Sequence, residues 1–386
     1  MVTLTIDGKK VTVRKHSTVL DAVKKLDIPL PTLCHHPALT PYGGCRLCIV
    51  EVKGLARPVT ACTTPVNEGM EVITTSPALE KMRKTTLELI LSDHPNDCMV
   101  CERAGNCTLQ ELAYFYGIKE NRFVGERRMY EKRDNNPFVE RDMEKCILCG
   151  QCVRICDEVQ GVGAIDFVHR GFRTKISPPY ERDLNCEFCG QCVAVCPTGA
   201  LTGKMWGQKG RQNLKKVDTV CSYCGCGCSL TLHVRRNEII RVTSRQETIN
   251  EGWLCAKGRF GYGFVRSPDR LTKPLIRIAP KEQSTEGTPS LTSVRVDSDL
   301  PPRGGGQGWG GDSKLPDKNS SLFREASWEE ALDYVAERFR DIKRKYGPDS
   351  IAGLASARCT NEENYLFQKC MRAAIGTNNV DHCARY

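Results

Sequence analysis

The 386 residues hold no apolar run approaching 18, so no segment reads as a membrane-spanning helix. The opening "MVTLTIDGKKVTV" lacks the apolar core and small-residue cleavage site of an export leader. The arginine pairs Arg127-Arg128 and Arg235-Arg236 lie mid-chain, where they cannot act as export signals. No Gly-x-Gly-x-x-Gly follows a strand pattern, and "GGGQGWGG" lacks the Gly-Lys-Ser/Thr that closes a phosphate loop. Nucleotide reduction would therefore need another subunit. These absences point to a cytoplasmic protein with reduced thiols and no membrane span.

What abounds is cysteine. There are 23, an odd number, in a chain that does not read as secreted, so metal binding is a better account than a disulfide framework. The formal charge of +10 treats those thiols as neutral. Bound as thiolates, they would offset much of the excess, and stretches such as "KGRQNLKK" (209–216) read as solvated linkers. Nucleic acid is not expected as a partner.

The cysteines fall into four blocks. "LTIDGKKVTV" reads as two alternating strands about an Asp-Gly turn. "STVLDAVKKLDI" then reads as a helix with Leu20, Val23 and Leu26 on one face and Ser17 or Thr18 as cap. Cys34, Cys45, Cys48 and Cys62 follow, with "YGGC" letting backbone amides approach sulfur. Four thiolates suit a [2Fe-2S] centre, and zinc fits such a set too. The second block follows a helix and reads His94-x3-Cys98-x2-Cys101-x5-Cys107. On spacing alone it suits zinc or iron–sulfur equally.

The third block is a repeat. "CILCGQCVRIC" (146–156) recurs as "CEFCGQCVAVCP" (186–197), each Cys-x2-Cys-x2-Cys-x3-Cys. In two-cluster ferredoxins the fourth cysteine of each run serves the other cluster. Cys146, Cys149, Cys152 and Cys196 are thus expected to hold one [4Fe-4S] group, and Cys186, Cys189, Cys192 and Cys156 a second. Asp157 stands where proline often follows the fourth cysteine, which changes no ligand. The fourth block, "CSYCGCGC" with "NEGWLCAKGR", gives Cys221, Cys224, Cys228 and Cys255, with Cys226 surplus.

Residues 282–321 are rich in Gly, Ser, Pro and Asp and read as a disordered insertion. Order resumes at "SWEEALDYVAERFRDIKRKYGP", with a Ser327/Glu330 capping box and an apolar stripe of Trp328, Leu332, Val335, Phe339 and Ile342. "SIAGLAS" reads as a buried strand, and "CTNEENYLFQKCMRAAIG" as a helix capped by Thr360 with Glu363 at its third position. The final "NNVDHCARY" reads as loop, leaving the apolar faces of 328–375 with no sheet to rest on.

Several motifs resemble known families. The order and spacing of the first two blocks resemble the start of the large iron–sulfur subunit of respiratory complex I and of iron-only hydrogenases. That resemblance favours [2Fe-2S] for the first set and histidine-ligated [4Fe-4S] for the second. Cys-x2-Cys-Gly-x-Gly-Cys with Leu-Cys-x-Lys-Gly-Arg resembles molybdenum or tungsten bis-pterin oxidoreductases, above all formate dehydrogenases. It implies a fourth [4Fe-4S] group and a relay role for Lys257, which is otherwise an exposed loop charge. "SARCTNEENY" and "GTNNVDHCAR" carry the same resemblance. It implies that the residue after Tyr386 would be the metal-binding selenocysteine or cysteine, and that the chain stops there because UGA is read as stop.

The expected fold is α+β and multi-domain. A β-grasp [2Fe-2S] domain spans 1–78. A [4Fe-4S] domain with one histidine and three cysteine ligands spans 79–136, and a two-[4Fe-4S] ferredoxin domain 137–205. The small bis-pterin-type [4Fe-4S] domain spans 214–277, and a truncated molybdopterin-binding α/β domain 322–386. The resemblance implies the electron-transfer part of a formate dehydrogenase alpha subunit with one [2Fe-2S] and four [4Fe-4S] groups. It implies a Mo or W bis-pterin guanine dinucleotide only at full length, so the 386 residues alone are expected to be inactive on formate. Expected partners are a flavin- or NAD(P)-reducing iron–sulfur subunit, a hydrogenase or a ferredoxin. The alternatives are a stand-alone electron-transfer subunit or a complex I-like NADH dehydrogenase component.

Overall fold

The computed structural model describes residues 1–131, 135–206, 213–278 and 323–382. It divides into two units, 1–262 and 263–386. The insertion expected at 282–321 and the end at Tyr386 lie outside the described residues.

The first unit begins with the expected hairpin. Strands β1 (Val2–Ile6) and β2 (Lys9–Val13) pair antiparallel. Asp7 and Gly8 turn with φ of 47° and 80°, the two positive values a tight hairpin turn demands. Helix α1 (Val19–Lys25) starts at Thr18, whose hydroxyl accepts from the Asp21 amide while the Asp21 carboxylate accepts from the Thr18 amide. Strands β3 (Ile49–Val52), β4 (Val59–Thr60) and β5 (Glu71–Ile73) complete a five-stranded sheet in the order β2-β1-β5-β3-β4. Val2, Leu4 and Ile6 alternate inward onto Val19, Leu20 and Val23, giving this region a closed core.

Helix α2 (Pro77–Ser92) is capped by Ser76, and α3 (Thr108–Phe115) follows. Arg83 of α2 is buried and donates to the carbonyls of Leu47, Ile49 and Thr74, locking the helix to the sheet. Between α2 and α3 lies the His94–Cys107 loop. Leu33 and Leu47 share a core with Leu87, Cys107 and Leu109, so the first two cysteine blocks are packed together.

The repeated block is built on short elements: β6 (Val139–Arg141), α4 (Gln151–Arg154), β7 (Asp166–Val168), β8 (Lys175–Ser177), α5 (Gln191–Val195) and β9 (Leu201–Gly203). β6 pairs β9 and β7 pairs β8, both antiparallel. The fourth block lies on β10 (Lys215–Val220), β11 (Ser229–Arg235), β12 (Glu238–Thr243) and α6 (Ala256–Phe260). Its three strands form one antiparallel sheet.

In the second unit β13 (Leu275–Arg277) pairs antiparallel with β14 (Phe323–Glu325). Helix α7 (Trp328–Tyr346) starts at Ser327 as expected. The reciprocal half of the box is not made; Glu330 pairs with Arg324 instead. The stripe from Trp328 to Ile342 is exposed, with Trp328 at 70% and Leu332 at 62%. β15 (Gly353–Ala355) is not the buried strand expected, since Leu354 faces out. Helix α8 (Asn361–Lys369) carries the expected Thr360/Glu363 box. The loop reading of the tail is corrected: Val380–His382 is a strand, β16, parallel to β15. A βαβ pair is therefore present, because the α8 crossover returns the chain beside β15.

Among the described residues no helix is long and apolar enough to cross a membrane.

Candidate functional site

All described cysteines are free thiols. The first set sits at the edge of the five-stranded sheet, with Cys34, Cys48 and Cys62 buried and Cys45 half-buried. The Leu33 amide donates to Cys45 Sγ and the Cys45 amide to Cys34 Sγ, both at 3.4 Å. The four thiols pair off. A hydrogen bond from Cys45 pulls the Cys34 thiol down and pushes Cys45 up; Cys48 and Cys62 do the same, with Cys62 held low. Amides of Gly44 and Gly43 also favour the Cys34 and Cys62 thiolates. Gly43 has φ of 68°, and a Cβ there would come within 3.0 Å of Thr63 Cγ2, so glycine suits the close approach.

In the second block His94 is buried and its Nε2 has no hydrogen-bond partner. Burial lowers its pKa, leaving a neutral ring with a ligand-ready nitrogen. Burial raises the Cys101 and Cys107 thiols. Lys145 lies against this block, between Asp97 at 3.5 Å and Asp142 at 3.2 Å. Gly199 closes the site: a Cβ there would meet Cys101 Sγ at 2.7 Å and Lys145 Cδ at 3.2 Å.

The two repeats are alike down to their backbone angles. Leu148 and Phe188 have φ of 52° and 50°, and their amides donate to Cys146 and Cys186 sulfur at 3.4 and 3.3 Å. Gly150 and Gly190 follow with φ of 68° and 72° and start α4 and α5. Cys146, Cys149, Cys152 and Cys196 line one cavity, and Cys156, Cys186, Cys189 and Cys192 line another. Burial, then mutual repulsion among Cys149, Cys146 and Cys196, drives the Cys152 thiol far up. Cys192 is pushed up to about 12 by burial and then by Cys189, Cys186 and Cys156. The fourth cysteine of each run thus stands with the other run.

In the fourth block the Cys221 amide donates to the Cys228 carbonyl at 2.8 Å, and Cys255 caps α6. Cys221, Cys224, Cys228 and Cys255 act on one another electrostatically, while surplus Cys226 is exposed beside Cys224. Lys257 is exposed in the first turn of α6. The side chain that sequence reasoning missed is Arg259, one turn after Cys255 and buried. Its Nε donates to the Cys189 carbonyl at 2.9 Å and its Nη2 to Gln191 Oε1 at 2.7 Å. Burial lowers its pKa to about 10, and nearby Cys189, Cys192 and Cys255 oppose that shift, so it is cationic at neutral pH. The signal was present as an arginine inside the quoted "CAKGR", four residues after a cysteine on a helix.

Comparison with known families divides the chain in the same order. Residues 1–77 match the 2Fe-2S iron-sulfur cluster binding domain, and 83–122 the NADH-ubiquinone oxidoreductase-G iron-sulfur binding region. Residues 136–202 match the ferredoxin-like domain of NADH-quinone oxidoreductase subunit 3. Residues 214–267 match the molybdopterin oxidoreductase Fe4S4 domain, and 270–386 the molybdopterin oxidoreductase family. An NADPH-Fe(3+) oxidoreductase subunit alpha of Geobacter sulfurreducens is 40% identical over the whole chain, which covers 40% of that relative. A G-type NADH-quinone oxidoreductase subunit of Rhizobium meliloti is 37% identical, with the same 40% covered. The chain thus spans about two-fifths of the length of these relatives. A solved chain of an NAD+-reducing [NiFe]-hydrogenase in the H2-reduced state is 31% identical with a TM-score of 0.50, covering 53% of this chain and 87% of that one. Neither named relative is a formate dehydrogenase; both are NAD(P)H oxidoreductase subunits. The chain thus carries iron–sulfur domains like those of the complex I G-type subunits, followed at 214–267 and 270–386 by segments that match the molybdopterin oxidoreductases.

Proposed function

We propose that this chain is the electron-transfer part of an NAD(P)H-linked oxidoreductase subunit, holding one [2Fe-2S] and four [4Fe-4S] groups. The observation that carries this is the crossed grouping of Cys196 with Cys146, Cys149 and Cys152, and of Cys156 with Cys186, Cys189 and Cys192, around two separate cavities. That exchange of fourth cysteines is the habit of two-cluster ferredoxins, and two independent zinc sites would have no need of it. Iron–sulfur groups supply one-electron carriage when bound.

The chain's own residues do the rest. Cys34, Cys45, Cys48 and Cys62 would hold the [2Fe-2S] group. His94, Cys98, Cys101 and Cys107 would hold a [4Fe-4S] group, with Lys145 supplying a fixed positive charge beside it. Cys221, Cys224, Cys228 and Cys255 would hold the last, with Lys257 as a relay toward the molybdopterin. Amides of Gly43, Gly44, Leu148 and Phe188 stabilise thiolate sulfur. The partner is a subunit that exchanges electrons with NAD(P)H, the donors that the relatives' names give, and a flavoprotein is the kind expected; a hydrogenase or a ferredoxin is the other acceptor class.

A formate dehydrogenase is the second reading, on the motifs "SARCTNEENY" and "GTNNVDHCAR", which resemble that family. β15 and β16 are parallel, with Ala355 beside His382, so the carboxyl ends of both strands lie at one edge. In open α/β sheets ligands bind at the carboxyl ends of parallel strands. The two readings separate in one experiment on the full-length protein with its partner subunit. NAD(P)H should bleach the iron–sulfur absorbance when the flavoprotein is added, and formate should not. Bleaching by formate alone, with NAD(P)H inert, would reverse the order of the two.

A further inference from the structure

Each repeated Cys-Gly-Gln-Cys turn contains a buried amide side chain to which cysteine ligation gives no task. Gln151 and Gln191 are 5% and 3% exposed. Their Nε2 groups leave their own turns. Gln151 donates to the Leu33 carbonyl at 2.7 Å, 118 residues away in sequence. Gln191 donates to the Leu254 carbonyl at 3.0 Å, 63 residues away. Leu33 precedes Cys34, and Leu254 precedes Cys255. Equivalent glutamines of a duplicated domain thus grip the same atom, the carbonyl just before a cysteine, in two loops of unrelated fold.

An arginine reinforces each junction, from opposite sides. Arg154 on α4 reaches outward, its Nη2 donating to the Cys34 carbonyl at 2.6 Å. Arg259 on α6 reaches inward, to the Cys189 carbonyl and to Gln191 itself. Gly190 is needed for that contact, because a Cβ there would lie 2.3 Å from Arg259 Cδ. A glutamine kept only for solubility would face water. A buried amide without a partner would cost about 1–3 kcal/mol, so each bond is held firmly.

We propose that Gln151 and Gln191 are positioning residues, each docking one outer cysteine loop onto one half of the ferredoxin domain. Gln151 fixes the Cys34 set against the Cys146/149/152/196 set. Gln191 fixes the Cys221/224/228/255 set against the Cys186/189/192/156 set. This rests on the reading that these sets hold iron–sulfur groups. No bond forms or breaks at either junction and no proton moves; the glutamine sets the separation that a single electron must cross. The arrangement also fixes an order, with the [2Fe-2S] set at one end of the ferredoxin pair and the fourth set at the other.

The test uses the full 386-residue chain, purified anaerobically and reduced with dithionite, with Gln151→Leu and Gln191→Leu made separately. Iron content and electron paramagnetic resonance are read together. In the unsubstituted chain the [2Fe-2S] signal should show magnetic interaction with the [4Fe-4S] group of the Cys146/149/152/196 set, read apart from any with the His94 set packed beside it. Gln151→Leu should lose that interaction and keep the one between the fourth set and its neighbour; Gln191→Leu should do the reverse. Iron should be unchanged in both. Interactions intact in both variants, or lost together in either one, would overturn the proposal. If a leucine variant loses iron, Gln→Glu at that position is read instead, since it keeps the size and removes the donor. Iron loss there too counts against the proposal, because a docking bond leaves each cysteine set able to bind. An unsubstituted chain without iron would sink the cluster reading itself, which is a separate result.

Discussion

The two units of the chain treat their apolar residues in opposite ways. In residues 1–262 the cysteine blocks are wrapped in core: Val139, Ile165, Val193 and Leu201 pack with Cys152 and Cys196, and Leu33 and Leu47 with Cys107. Among the described residues of 263–386, helix α7 leaves Trp328, Leu332 and Val335 open, and the buried cluster is small, Ile351, Met371 and Ile375. The first unit is a set of cysteine cages that double as hydrophobic cores. The described part of the second is a two-stranded ribbon and a βαβ unit, with α7 and α8 held by caps and local pairs. Where ligand and core are the same residues, loss of the ligand group should unmake the fold; where they differ, it should not.

Removing iron gives the largest expected effect. Chelation under reducing conditions should abolish hydrogen-exchange protection around 139–203, while helix 328–346 keeps what protection it has. Equal loss in both would erase the contrast. Arg83→Met comes next. It strips donors from three carbonyls in the first unit and should cost about 3–5 kcal/mol by denaturant unfolding followed at α2. A cost under about 1 kcal/mol would show that water can replace the guanidinium. Gly199→Ala is smaller and local. The added methyl collides with Cys101 Sγ, an overpacking cost of roughly 1–3 kcal/mol. Iron analysis should show about four irons lost per chain, one [4Fe-4S] group, with the other sets retained. Full iron would mean that the His94 loop can yield. Leu332→Gln on the open face of α7 should be smallest, within about 0.5 kcal/mol. A larger loss in this chain would mean that the face is covered.

Much of the first unit was legible because its signals are local. The Asp7-Gly8 turn, the cap before α1 and the repeat spacing all act over a few residues, and the structure realises each. The tail was harder. β16 is three residues long and shows no alternation, so only its partner β15, 27 residues earlier, makes it a strand. Glu330 stands at capping distance, yet Arg324 claims its carboxylate, a competition that spacing does not reveal. Gln151, Gln191 and Arg259 were hidden for a related reason. A polar residue in a cysteine motif looks like filler until the fold shows that its partner lies 118, 63 or 70 residues away. The relatives corrected the choice among redox families. The tail motifs resemble formate dehydrogenases, but whole-chain similarity runs to NAD(P)H oxidoreductase subunits.

Five sets of ligands are proposed to hold five iron–sulfur groups. The most direct test is iron, acid-labile sulfide and zinc per chain after anaerobic purification. About 18 irons and a matching amount of sulfide are expected, with only trace zinc. Stoichiometric zinc with little iron would contradict that reading.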